Sequence, residues 1–265
     1  MQLHASVTDT AVVITPEYLL SPREFEVLWR TLRLGRMPYP LDVPSEGATE
    51  QELKTLQQNT LARLRDRGLA DDERLEELLR LLDHHEVSVD AVLGLDRTVR
   101  ALAAASGEQA VLAIIDGDRV GLAEIRPTGL AREIVRVLPE GEPGPGNAMS
   151  VRADTLQQAA ALQEADHEEE SDDPWGAADD ELDDSQALQK AGLSAQDARQ
   201  LGELAANRVA GGQFGVTHRR ERSGVVINWF DTHQGRYLVV NSDGWLSLSP
   251  ADNDRIATRI DTVLS

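Results

Sequence analysis

Residues Gln213 to Ser265, QFGVTHRRERSGVVINWFDTHQGRYLVVNSDGWLSLSPADNDRIATRIDTVLS, decide the fold. FGVTHRRE, GVVINWF, RYLVV and WLSL are β-branched or aromatic segments separated by turn residues, the pattern of four short strands. Asn241-Ser242-Asp243-Gly244 supplies the positive φ of a tight hairpin, since glycine has no Cβ to clash and Asn and Asp tolerate the left-handed region. Ser249-Pro250 is then expected to open a closing helix, with the hydroxyl as cap and proline at a position whose N–H has no partner anyway. In GVVINWF both strand faces are apolar: Val225, Ile227 and Trp229 on one, Val226 and Phe230 on the other. A sheet half-open to water alternates with polar residues, so both faces of this one are expected to be covered, by the chain's own helices or by a partner.

The same order occurs earlier. Val87–Leu93, Thr98–Ala104, Ala110–Ile115 and Val120–Ile125 read as strands, Asp116-Gly117 as a hairpin turn, and Arg126-Pro127 as the start of a helix through Leu130, Ile134, Val137 and Leu138. A helix carrying Leu75, Leu78, Leu79 and Leu82, capped by Asp71-Asp72, precedes these strands. A helix capped by Ser194, with Leu201, Leu204 and Ala205 on one face, precedes the later set. AVLAIIDGDRVGLAEIRPTGLAREIVRVL therefore lies over RYLVVNSDGWLSLSPADNDRIATRIDTVL, and an internal duplication of 71–138 and 194–264 is the expected reading. The fold class is α+β, in two quasi-symmetric halves, each an antiparallel sheet with flanking helices: 1–140 and 147–265.

The remaining segments frame these halves. Val12-Val13-Ile14 reads as a short opening strand. Ser21-Pro22 starts a helix whose apolar face is Phe25, Leu28, Trp29 and Leu32, ended by Gly35. Residues 36–49 hold three prolines and read as an irregular connection. Thr49-Glu50-Gln51-Glu52 is a capping box for a helix with Leu53, Leu56, Thr60, Leu61 and Leu64, running to Gly68. EGEPGPG at 140–146 reads as the linker between halves, because proline and glycine there oppose both helix and ladder. Thr155–Ala165 is a further helix. Asp166–Asp184 has many acids and no lysine or arginine, and repulsion with little apolar content predicts disorder for most of it.

Composition narrows the function. The 265 residues hold 26 Lys and Arg against 46 Asp and Glu, a net charge of −20. Such a surface repels phosphate backbones and anionic lipid, which opposes nucleic-acid and membrane partners. There is no cysteine, hence neither disulfide framework nor thiolate metal site. The start shows no basic-then-apolar leader and no run approaches membrane-spanning length, so the protein is expected in the cytoplasm.

No catalytic pattern emerges. His84-His85 point about 100° apart on a helix and suit its C-terminus. His218 and His233 with Asp231 offer a conceivable general base, but no Gly-x-Ser-x-Gly nucleophile or cysteine accompanies them. The acidic run lacks the Asp-x-Asp-x-Asp-Gly loop with closing Glu of a calcium site. GEPGPG lacks the Gly-Lys-Ser/Thr of a phosphate loop. The expectation is a protein that is not an enzyme, with no cofactor and no metal. LSPREFEVLWRTL is similar to the opening of response-regulator helix-turn-helix domains, but RMPYPLDVPSEG follows where a basic recognition helix is needed.

Three stretches carry a full-length resemblance: LSPREFEVLWRTLRLG followed by PYPLDVPSEGAT, then AVLAIIDGDRVGLAEIRP, and GRYLVVNSDGWLSLSPAD with its helix. They resemble the EspG family, cytosolic chaperones of actinobacterial type VII (ESX) secretion. The resemblance implies two quasi-symmetric halves that share a central sheet, with a helical bundle in the second. It implies that the protein grips PE–PPE heterodimers or similar helical-bundle substrates and keeps them soluble for export, without catalysis. It assigns no individual contact residue. From the residues alone, Phe214, Trp229 and Phe230 are the candidate partner anchors, because aromatics dominate binding energy where they are exposed. Two other readings stand beside this one: a toxin-neutralising immunity protein, also acidic and α+β, and an enzyme using His218, Asp231 or His233.

Overall fold

The structure, a computed structural model, describes residues 15–43, 49–170 and 184–265. The expected opening strand at 12–14 and most of the acidic run, 171–183, lie outside these residues. The chain divides into two compact units. The first comprises Met1–Glu140, Val216–Arg222 and Asn253–Ser265; the second comprises Gly141–Gly215 and Ser223–Asp252. The final segment and the end of one strand thus pack with the N-terminal part of the chain.

In the first unit, β1 (Tyr18–Leu20) leads into α1 (Pro22–Thr31), α2 (Glu50–Asp66) and α3 (Glu73–Asp83). The caps expected for these three helices are present. Ser21 and Glu24 close a capping box at α1, as Thr49 and Glu52 do at α2, and the Asp72 side chain accepts from the Leu75 N–H. Gly35 does not end α1; the helix stops at Thr31, and Arg33 takes the left-handed turn at φ 55°. The four-strand meander β2 (Val87–Gly94), β3 (Thr98–Ser106), β4 (Gln109–Asp116) and β5 (Arg119–Ile125) follows.

Its registers fix which side chains share a face. Leu102 pairs with Ala113 and Ala113 with Leu122, so Leu102, Ala104, Val111, Ala113, Ile115, Val120 and Leu122 line one side. There they form a core with Phe25, Leu28 and Trp29 of α1, Leu64 of α2 and Leu75, Leu78, Leu79 and Leu82 of α3. The alanine-rich opposite face packs on α4 (Leu130–Val135), which a 3₁₀ turn (Pro127–Gly129) introduces at the expected proline. On α4 packs α8 (Asn253–Leu264), through a face with buried Ile256 and Ile260.

The second unit holds β6 (Met149–Arg152), α5 (Ala153–Glu170), α6 (Asp184–Lys190) and α7 (Ala195–Ala206). Then come β7 (Arg208–His218), β8 (Glu221–Arg222), β9 (Val226–Thr232), β10 (Gly235–Ser242) and β11 (Trp245–Pro250); the end of β7 and all of β8 fall in the first unit. Hydrogen-bonded neighbours run β1-β5-β4-β3-β2-β7-β9-β10-β11-β6, with β8 beside β7, in one sheet of eleven strands among the described residues.

Three sequence readings change here. Ser249-Pro250 does not open the closing helix: both residues extend β11, opposite Leu238 and Tyr237, and α8 begins at Asn253. Proline at a strand end leaves no ladder N–H missing inside the sheet, which is why it fits there. Residues 166–170 of the acidic run continue α5 instead of standing apart as disordered chain. The 140–146 stretch forms no helix, as expected, but it is more than a linker. The Gly144 N–H donates to the Arg236 carbonyl at 3.0 Å, and the Arg236 N–H donates to Glu142 at 2.8 Å.

Candidate functional site

The second unit's sheet is built from β6, β7, β9, β10 and β11. Its registers pair Phe214 with Ile227, Ile227 with Val240, and Trp229 with Leu238, so these five side chains share one face. All five are buried, Phe214, Ile227 and Trp229 at 0–1% exposure. The opposite face carries Phe230, Tyr237, Val239, Leu248 and Met149, and there α7 contributes Leu201 and Leu204 to a small apolar cluster. Phe230 is half-buried and stacks on Tyr237 at 5.3 Å with the rings 16° apart. Val226, expected on this covered face, is exposed.

Of the three aromatic candidates, then, Phe214 and Trp229 sit in the core and only Phe230 reaches the edge of a surface. Arg236 explains part of this. Its fully buried guanidinium donates to both oxygens of Asp231 at 2.7 and 2.8 Å and lies 4.8 Å from the Trp229 ring centroid. A buried cation over an indole face is stabilised by the ring quadrupole and needs its carboxylate partner. Asp231 is thereby engaged by arginine rather than by a histidine. His233 lies in the β9–β10 turn of the second unit, whereas His218 belongs to the first.

The first face changes character toward the edge. Ser247 opposes Val240, Ser249 opposes Leu238, and Ser150 opposes Ser247, so β11 and β6 present hydroxyls where β9 and β10 present apolar side chains. The Ser150 and Ser247 hydroxyls lie 3.2 Å apart. At this edge Trp245 is 47% exposed, with the Arg152 guanidinium 5.7 Å from its ring centroid. Sequence reasoning passed over Trp245. Its signal was its place directly after Asp243-Gly244, where a hairpin presents the next side chain at a sheet margin.

On the helical side, α7, the β9–β10 turn and residues 145–146 enclose a recess of about 330 Å³. Gln200, Glu203, Asn207, His233 and Gln234 line it, with Leu204 and Tyr237 as the apolar part. Burial pushes the Tyr237 phenol upward from its ordinary value, and its hydroxyl donates to the Pro145 carbonyl at 2.9 Å. The arrangement suits polar contact with another chain. Among the described residues no group of three His, Asp or Glu side chains is placed to hold a metal ion. No helix among them is long and apolar enough to cross a membrane.

Residues 21–262 match the sequence profile of the EspG family, so nearly the whole chain is accounted for and the protein belongs to that family. Among solved structures it is similar to the Mycobacterium tuberculosis type VII secretion system chaperone EspG5, determined in complex with a PE25-PPE41 dimer. The TM-score is 0.66 at 17% identity, over 93% of this chain and 95% of that one, a likeness of fold. No curated protein resembles the chain closely enough to count as a match.

Proposed function

We propose that the protein is a cytoplasmic chaperone of type VII (ESX) secretion, which binds PE/PPE-like heterodimers or similar helical-bundle substrates and keeps them soluble for export. The observation that carries this is the family match across residues 21–262, supported by the likeness to a chaperone determined with such a dimer. The physical task is simple: a helical pair awaiting export exposes an apolar tip, and covering that tip suppresses aggregation. The function is binding rather than catalysis, and it calls for neither cofactor nor metal.

The client docks on the second unit, at the sheet margin of β11 and β6 together with the helices α5–α7, burying roughly 800 Å² per partner as ordinary interfaces do. Trp245, on the serine-bearing face of the margin, and Phe230, on the opposite face beside α7, are the anchors, while Phe214 and Trp229 hold the sheet from within. The acidic surface steers a basic client and speeds encounter more than it adds affinity. Co-expression with a neighbouring PE/PPE-like pair, followed by size exclusion, tests the reading: a single co-eluting complex is expected. Trp245→Ala is expected to weaken that complex about tenfold or more with an unchanged melting temperature, since an exposed aromatic anchor contributes to binding and little to folding. A pair that elutes separately from the wild-type protein overturns the proposal.

A further inference from the structure

We propose that the β7–β8 hairpin tip, in the first unit, docks an acidic segment of a partner protein that carries an apolar residue beside its carboxylates. This goes beyond client binding and rests on different residues. Thr217 pairs with Arg222 and His218 with Glu221, which leaves Arg219-Arg220 as a two-residue turn. Both take positive φ, 46° and 70°. A turn of that kind favours Asn-Gly, because a Cβ in the left-handed region crowds the following carbonyl. Two arginines hold it instead, and backbone strain of this sort gathers where a side chain must be presented.

The surroundings say what is presented. Arg219 and Arg220 are exposed, and among the described residues neither makes an ion pair or a side-chain hydrogen bond. Arg222, two residues on, behaves differently: it grips the buried Asp90 through both nitrogens at 2.5 and 3.1 Å. The Arg219 N–H donates to the Glu86 carbonyl at 2.6 Å, which pins the tip against the start of β2.

Beside the tip lies a cavity of about 700 Å³. Val87, Pro127, Leu130 and Leu264 form its apolar part, and His218 and Arg219 border it. Glu86 and Asp261 line it too, so it repels an anion inside it. A partner's carboxylates therefore belong on the two guanidinium forks, and its apolar side chain in the cavity. A phosphate backbone or an anionic membrane would face those carboxylates and the net charge of −20 over an extended area, whereas a short peptide engages only the tip.

The test uses the full chain and a dye-labelled synthetic peptide of alternating glutamate and leucine, read by anisotropy at about 0.15 M salt. There the Debye length of about 8 Å screens the protein's net charge but leaves close pairs intact. Wild type is expected to bind this peptide, and more tightly than a glutamate–serine peptide. The double variant Arg219→Asn/Arg220→Gly removes both cations while giving the turn its preferred residues. Peptide binding is expected to fall about tenfold or more, with the melting temperature equal or higher, an outcome that a merely structural role for the arginines does not produce. Absence of wild-type binding, equal binding by the double variant, equal affinity for the glutamate–serine peptide, or preference for a short DNA duplex or phosphatidylserine vesicles each overturns the proposal.

Discussion

The two four-strand meanders share an order and differ in closure. In the first, Ala110 to Ile115 of β4 are buried one after another, because α1–α3 cover one face and α4 the other. In the second, Leu248 alone is buried among Trp245–Pro250, and the edge carries serines, Arg152 and an exposed tryptophan. The first runs helix, four strands, helix with its strands in consecutive order, and the second does the same once the two-residue β8 beside β7 is set aside. The difference teaches that one topology serves two ends: a meander covered on both faces forms a core, and one left open at its margin forms a surface. Whether the halves are true copies is a proposal that a superposition of 71–138 on 194–264 tests directly; a poor fit of the two meanders defeats it.

Substitutions at matched positions sharpen the comparison. Trp229→Ala, under the buried part of the second sheet, is expected to cost about 3–5 kcal/mol, on a par with Leu112→Ala in the first at about 2–5 kcal/mol. Urea denaturation checks both; a loss below about 1 kcal/mol at Trp229 would place it at a surface after all. Next comes the 140–146 strap. A Cβ on Gly144 overlaps the Tyr237 ring, and one on Gly141 overlaps the Arg236 guanidinium. Gly144→Ala is therefore expected to destabilise by about 1–3 kcal/mol. A neutral result by thermal melting would return this stretch to the role of free linker.

The hairpin turns give a smaller effect. Gly117 and Gly244 both have positive φ, 60° and 76°, with open space where a Cβ would stand. Alanine at either is expected to cost about 1–2 kcal/mol from backbone strain alone, with similar values in the two halves. Unequal values would show that the turns are not equivalent. Asp116 gives the smallest effect. The Arg97 guanidinium, hydrogen-bonded to it, holds its carboxyl below the usual 3.8. A depressed folded value means that the pair's stabilisation is present above 3.8 and lost as pH falls through the folded value. Asp116→Asn is expected to cost about 0.2–1 kcal/mol near neutrality, as a partly exposed pair does, and the gap should close under acid. A gap that widens on acidification would rule out this pairing as its source.

Much of the fold was legible because it rests on local rules. The caps at Ser21, Thr49, Asp72 and Ser194 form where a short oxygen side chain precedes an apolar helical period. The strands of the first meander end within two residues of their sequence reading, since Gly and Asp mark their turns. Local rules misplaced Ser249-Pro250, where cap and strand end are both open to a Ser-Pro pair and only pairing with β10 decides. They also started β7 too late: Arg208–Gln213 looks glycine-rich and weak, and becomes strand because β9 lies alongside.

The site was less legible than the fold. An aromatic residue reads the same whether it fills a core or meets a partner, so Phe214, Trp229 and Trp245 could not be ranked from the chain. Sequence alone determined the strand and helix order, the acidic surface and the family likeness, because these depend on residue type, spacing and charge. Tertiary structure decided which aromatic is buried, that Asp231 serves Arg236, that residues 141–145 strap the second sheet, and that α8 packs on α4. Those outcomes depend on which distant segments cover a given face, and burial is a property of the neighbours rather than of the residue.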